Sequence, residues 1–123
     1  MKPRITSNAH PQLKRWWRGE DVLLEQEATR KGFGNGALEA AKTAKNIVAL
    51  TANLGGSTGL GALKKRYPSR SYDLGVAEQT LAGIAAGMAS EGLQPIMTSF
   101  AVFSPGRNWD FIRTQIALNN HPV

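Results

Sequence analysis

A chain of 123 residues with no cysteine is the size of one domain and can bury a core unaided. It has no disulfide framework, cysteine nucleophile or thiolate metal site. No apolar run reaches the roughly 18–20 residues that span a bilayer, and the basic N-terminus lacks an apolar signal core, so a cytoplasmic protein is expected. A net charge of +6 and a pI near 10.1 point to an anionic partner, whether nucleic acid, a phosphorylated metabolite or an acidic subunit.

Residues 1–28 have no sustained hydrophobic period. They read as an irregular basic arm around Trp16 and Trp17, with one helical turn near Asp21 to Gln26. An alanine-rich stretch predicts a helix from Asn35 to Lys45, with Phe33, Leu38 and Ala41 on one face. The continuous apolar run Asn46 to Ala52 predicts a buried parallel strand, and Leu54 to Gly59 a loop. Leu60 to Tyr67 predicts a short amphipathic helix that ends before Pro68. A second strand is expected over Ser71 to Val76.

The second long helix is expected from Glu78 to Glu91. Leu81, Ile84, Ala85 and Met88 form its apolar stripe, Gly83 and Gly87 permit close packing, and Gly92 is the stop. Pro95 to Phe100 predicts a third strand with proline at its first position. Ser104 reads as the N-cap and Pro105 as the first residue of a last helix. That helix runs to Asn119 with Trp109, Ile112 and Ile116 on one side. A further strand could open at His121-Pro122-Val123. Helices alternating with strands imply parallel strands joined by right-handed crossovers, hence an α/β fold. Three strands are few for such a sheet, which is expected to be incomplete or completed by another chain.

Glu78 follows a strand and a glycine and opens a helix, at the edge where open α/β sheets bind ligands. On the residues alone it also reads as a carboxylate that complements the helix dipole. His10 and His121 lie in irregular terminal segments, and no His/Asp/Glu spacing suits a metal. Lys14-Arg-Trp-Trp-Arg18 offers phosphate-neutralising cations beside stacking rings, though no recognised nucleic-acid motif accompanies it. Lys64, Lys65, Arg66 and Arg70 form a second basic cluster.

Five stretches carry a wider likeness: Ala28-Thr-Arg-Lys-Gly-Phe-Gly34, Val48 to Thr58, Tyr67-Pro-Ser-Arg70, Asp73 to Gln79, and Pro95-Ile-Met-Thr-Ser-Phe-Ala-Val-Phe103. In order and spacing they resemble the pyrimidine-binding domain of the transketolase family. The form most similar is the separate C-terminal subunit of split bacterial and archaeal transketolases. The resemblance implies a three-layer α/β/α thiamine-diphosphate-binding fold with a mainly parallel sheet. It divides the chain into the arm at 1–28 and a partial pyrimidine-binding domain at 29–123.

It further implies a two-carbon ketol transfer between phosphorylated sugars. Glu78 would share a proton with N1′ of the cofactor's aminopyrimidine ring, and Phe100 and Phe103 would pack on that ring. Arg30 and Ser57 would hold the substrate phosphate. Asn53 stands where many relatives have an aspartate at the cofactor, and reads equally as a turn residue. The family's further aromatic after Phe103 falls on Gly106, so that part of the cradle is absent or comes from elsewhere. Arg107 and Arg113 are expected as helix-surface or interface charges. The diphosphate and its Mg²⁺ or Ca²⁺ would be bound mainly by an N-terminal partner subunit, making the protein an obligate oligomer.

Deoxyxylulose-phosphate synthases and 2-oxo acid dehydrogenase β subunits use the same glutamate. The Phe-Ala-Val-Phe-Ser segment and the Ala-Thr-Arg start favour transketolase over both. A basic nucleic-acid-binding module or a non-catalytic interaction fragment stand as alternatives of another class.

Overall fold

The computed structural model describes Arg18 and residues 27–123. The Trp-bearing basic segment, the helical turn expected near Asp21 to Gln26 and most of the arm at 1–28 lie outside the described residues.

Helix α1, Thr29–Thr43, starts earlier than Asn35 because Gly34 is a packing position within the helix, not a loop residue. A Cβ on Gly34 would collide with the carbonyl oxygen of Gly59, and a Cβ on Gly59, at φ +95°, with that of Arg30. The two backbones therefore touch directly. The buried face is Gly34, Ala37 and Ala41, so the expected stripe through Phe33 is corrected, and that ring is exposed.

Strand β1, Ile47–Thr51, is buried throughout. It runs parallel between β2, Ser71–Asp73, and β3, Gln94–Thr98, in the order β2-β1-β3. Ile47 and Ala49 face a cluster with Ala37, Ala41, Leu60 and Leu63. Leu50 faces Leu81 and Ala85 across the other side. This alternation along β1 makes the three layers, as expected.

The helix Gly61–Arg66, α2, precedes a 3₁₀ turn, Pro68–Arg70. Arg70 leaves that turn and caps the end of α1. Its guanidinium donates to the carbonyls of Ala41 at 2.8 Å, Ala44 at 3.1 Å and Lys45 at 3.2 Å, and lies 4.0 Å over the Tyr67 ring. Part of the second basic cluster is thus structural.

β2 stops at Asp73, short of the expected Val76. The Asp73 carboxylate accepts the Gly75 amide at 3.1 Å and bends the chain, with Gly75 at φ +70°. Helix α3, Glu78–Ser90, buries Leu81, Ala82, Ala85, Ala86 and Ala89. Its alanines, not its glycines, carry the close packing. A Cβ on Gly83 would meet Phe111 at an ordinary 3.8 Å, and one on Gly87 would meet nothing. In β3, Pro95 is the second residue, not the first.

The last helix does not begin at Pro105, and Ser104 is not its cap. Residues 100–108 form turns held by backbone bonds such as Arg107 N–H to Phe103 O at 2.8 Å, with a cis Ser104–Pro105 peptide. Helix α4, Trp109–Phe111, continues as a π-helical stretch, Ile112–Ala117. Trp109 is exposed, against the expected stripe, while Ile116 is buried against Ala82 and Ala86. Residues 121–123 form no strand. No helix among the described residues is long and apolar enough to cross a membrane.

Candidate functional site

The register aligns Thr51 with Asp73 on one side and Thr98 on the other, so three strand ends share the carboxyl edge of the sheet. The chain leaves this edge through the loops that carry the expected site residues.

Glu78 opens α3 and is only 4% exposed. Asn108, wholly buried, donates from Nδ2 to the Glu78 backbone carbonyl and to Ser104 Oγ, both at 3.1 Å. This fixes the 100–108 segment against the start of α3. Asn108 Oδ1 and Ser99 Oγ are buried with no hydrogen-bond partner among the described residues.

Arg107, expected as a surface or interface charge, lies beside Glu78. Its Nη1 is 3.4 Å from each carboxylate oxygen, and its guanidinium lies 4.3 Å over the Phe103 ring. Phe103 in turn stacks on Phe100, with centroids 6.3 Å apart and planes inclined by 23°. Arg113 pairs with Asp110 on the surface. Gly106 admits no side chain, because a Cβ there would strike the Val102 carbonyl oxygen. An aromatic at that position would need a different backbone.

Phe100 is half exposed and lines an open cleft of about 490 Å³ with Arg30, Phe33, Ser57, Thr58 and Thr98. The contact of Gly34 with Gly59 brings the first turn of α1 to the Ser57 loop. Arg30, Ser57 and Phe100 thus come together, and Phe103 and Glu78 connect to them through the aromatic stack and Arg107. Asn53 does not join them. It sits in the left-handed region at φ +60°, and its backbone N–H donates to Asp73 Oδ1 at 2.8 Å. It lines a separate cavity of about 170 Å³ with Thr51, Lys64, Tyr72 and Asp73.

Two residues near these positions are not expected at the site from the sequence. Asp73 supplies the carboxylate beside Asn53, and its signal was its place directly before Leu74-Gly75, where a short acidic side chain bonds its own turn. Arg107 follows Phe103 by four residues, so one tight turn stacks it on the ring.

The donor set fits a planar nitrogen heterocycle. A flat, N–H-bearing guanidinium already lies on Phe103 and faces the buried carboxylate. Among the described residues, no group of three or more His, Asp or Glu side chains comes together as a metal site.

A buried carboxylate at the carboxyl edge of a parallel sheet, next to an aromatic pair and an open cleft, defines a ligand-binding α/β domain. The chain belongs to the transketolase pyrimidine-binding domain family, whose profile matches residues 25–123. It is 42% identical over 88 residues to a protein of Methanocaldococcus jannaschii provisionally named transketolase C-terminal section, covering 72% of this chain and 28% of that one. It is 38% identical over 105 residues to a 1-deoxy-D-xylulose-5-phosphate synthase of Carboxydothermus hydrogenoformans, covering 85% and 17%. Among solved structures it resembles a split-gene transketolase described as an inactive β4 tetramer, with a TM-score of 0.67 and 38% identity over 75% of this chain and 31% of that one. The chain therefore spans under a third of the length of each of these relatives.

Proposed function

We propose that this chain supplies the aminopyrimidine-binding half of a thiamine-diphosphate-dependent, cytoplasmic transketolase. A partner subunit would carry the diphosphate and its Mg²⁺ or Ca²⁺. The observation that carries the reading is the buried Glu78 at the head of α3, joined through Arg107 to the Phe103–Phe100 stack. Bound thiamine diphosphate supplies the carbanion chemistry of two-carbon transfer, while the protein supplies orientation and proton control.

Glu78 holds a proton between its carboxylate and a ring nitrogen. Burial keeps water from competing for that proton, and Asn108 fixes the backbone from which the side chain extends. Phe100 and Phe103 give the ring a flat apolar platform. Arg30 suits a sugar phosphate because its fork donates two parallel bonds to a dianion, and the Ser57 hydroxyl lines the same cleft. Asn53 would add a neutral hydrogen-bonding group where many relatives place a charge. That a split-gene transketolase is inactive as a β4 tetramer supports the need for a partner.

Glu78→Gln, measured in the complex reconstituted with a diphosphate-binding subunit, is expected to lower turnover by about 10²–10⁴-fold, the range for acid–base groups, with cofactor binding largely spared. Near-normal turnover would overturn the assignment. The 38% identity to a deoxyxylulose-phosphate synthase favours a second reading with the same glutamate. The two separate in one assay, since carbon dioxide release from a 2-oxo acid donor supports the synthase and ketose-to-aldose transfer supports transketolase.

A further inference from the structure

We propose that Arg107 is a displaceable occupant of the pyrimidine subsite, held on Phe103 and Glu78 until the cofactor ring takes its place. The inference rests on the reading of Glu78 and Phe103 given above. A guanidinium and an aminopyrimidine are both planar, delocalised and edged with N–H donors. Each stacks on an aromatic face and donates to a carboxylate. Arg107 does both, at 4.3 Å over the ring and 3.4 Å from each Glu78 oxygen. A second flat group cannot lie on the same face of Phe103 and meet the same carboxylate edge, so the two occupants exclude each other.

The geometry also shows why the arginine can leave. At 3.4 Å its bonds to Glu78 exceed the roughly 2.7–2.9 Å of a fully formed charge-assisted bond. Its side chain is 52% exposed, whereas that of Glu78 is 4% exposed. The arginine moves toward solvent into an open cleft of about 500 Å³ that it shares with Val76, Gln79 and Thr80. Leaving restores its hydration, and the ring then inherits the carboxylate. Removing one partner from a buried charge leaves the other uncompensated. Arg107 supplies that compensation when no ligand is present, at the cost of competing with the ligand.

The test uses the full chain and the neutral hydroxymethyl aminopyrimidine fragment of the cofactor, with binding read by titration calorimetry. Because the fragment is uncharged, salt acts on the Arg107–Glu78 pair and not on the ligand. Arg107→Ala is expected to bind it roughly two- to fivefold more tightly than the native chain, the fold-change that releasing a half-exposed ion pair gives. Native affinity is expected to rise from about 0.01 M to about 1 M salt as the pair is screened, with the variant flat. Arg107→Lys, which keeps the charge without the plane, falls between.

If Arg107→Ala does not fold by circular dichroism, the native salt response and Arg107→Lys decide. Native binding that weakens with salt, or a lysine variant that binds no better than native, overturns the proposal. Binding that Phe103→Ala abolishes but Arg107→Ala weakens makes Arg107 a positioning residue and leaves the pyrimidine reading standing. No binding by any form overturns both.

Discussion

Arg70→Met removes a five-donor fork while keeping an unbranched stem that packs in the same place. Arg70 reaches Ala41 O at 2.8 Å and Ala44 O at 3.1 Å in partly buried settings, and Lys45 O at 3.2 Å in an exposed one. Ala41 lies in the last turn of α1 and Ala44 is its C-cap, where helix geometry leaves carbonyls without intrahelical partners. Hydrogen bonds to a charged group contribute about 1.5–3 kcal/mol each, but the exposed one is largely replaced by water. Two partly buried bonds at the low end, with the stack on Tyr67 at 4.0 Å adding about 0.5–1 kcal/mol, give a loss of roughly 3.5–4 kcal/mol. For a domain of this size that lowers the melting temperature by roughly 10–20 °C. The measurement is urea and thermal unfolding of the full chain at fixed protein concentration, since self-association shifts the midpoint. Arg70→Lys is expected to lose about half as much, because one ammonium cannot span both carbonyls. A methionine variant with the native midpoint would refute the capping role and return Arg70 to the pool of charges free to meet an anion.

Arg30→Ala is expected to raise KM for phosphorylated ketoses about ten- to a hundredfold, the equivalent of one charge-assisted contact, and to leave unphosphorylated ones nearly unchanged. Equal effects on both substrates would make Arg30 structural. Gly59→Ala is expected to destabilise the chain by at least about 2 kcal/mol, combining left-handed strain with the collision against Arg30 O. The same variant should raise KM for phosphorylated substrates by moving α1 off the Ser57 loop, and native unfolding with native KM would contradict this. The chain without a diphosphate-binding subunit is expected to show no ketol transfer in the presence of cofactor and magnesium. Robust transfer by the lone chain would sink the half-site reading.

The layer order and β1 were legible because continuous apolar runs between helical patterns have one economical arrangement, a buried parallel sheet. The misplaced boundaries share a cause. At Gly34, Asp73 and Asn108 a tertiary or side-chain contact decides where the element starts or stops, and no local pattern encodes the partner. Gly34 looks like a helix breaker until Gly59 is seen against it. Asp73 ends β2 with its own carboxylate. Asn108 holds the 100–108 turns to α3, which leaves Ser104 and Pro105 outside the helix they appear to announce. Within the candidate site, only Glu78 stands out by its own position, between a strand end and a helix start. Phe100, Phe103, Arg30 and Ser57 are singled out by resemblance alone.

The excess of positive charge illustrates how a bulk property is partitioned by the fold. A net +6 reads from composition as an appetite for anions, yet Arg70 is committed to the end of α1. Arg107 is committed to Glu78, Arg113 to Asp110, Lys31 to Glu27 and Lys42 to Glu39. The exposed pairs contribute little stability, but they neutralise the cations locally and weaken the case for a continuous basic face. On the described surface, Lys64, Lys65 and Arg66 crowd the last turn of α2, where cations favour the helix carbonyl end. Arg66 also leans over Tyr67 at 5.2 Å. Arg30 differs from all of these, because it stands in a cleft beside a serine, three threonines and two phenylalanines. Under the proposed function, a phosphate entering there would meet a cation and hydroxyls set against an apolar wall, an arrangement suited to one small phosphorylated molecule rather than a polyanion.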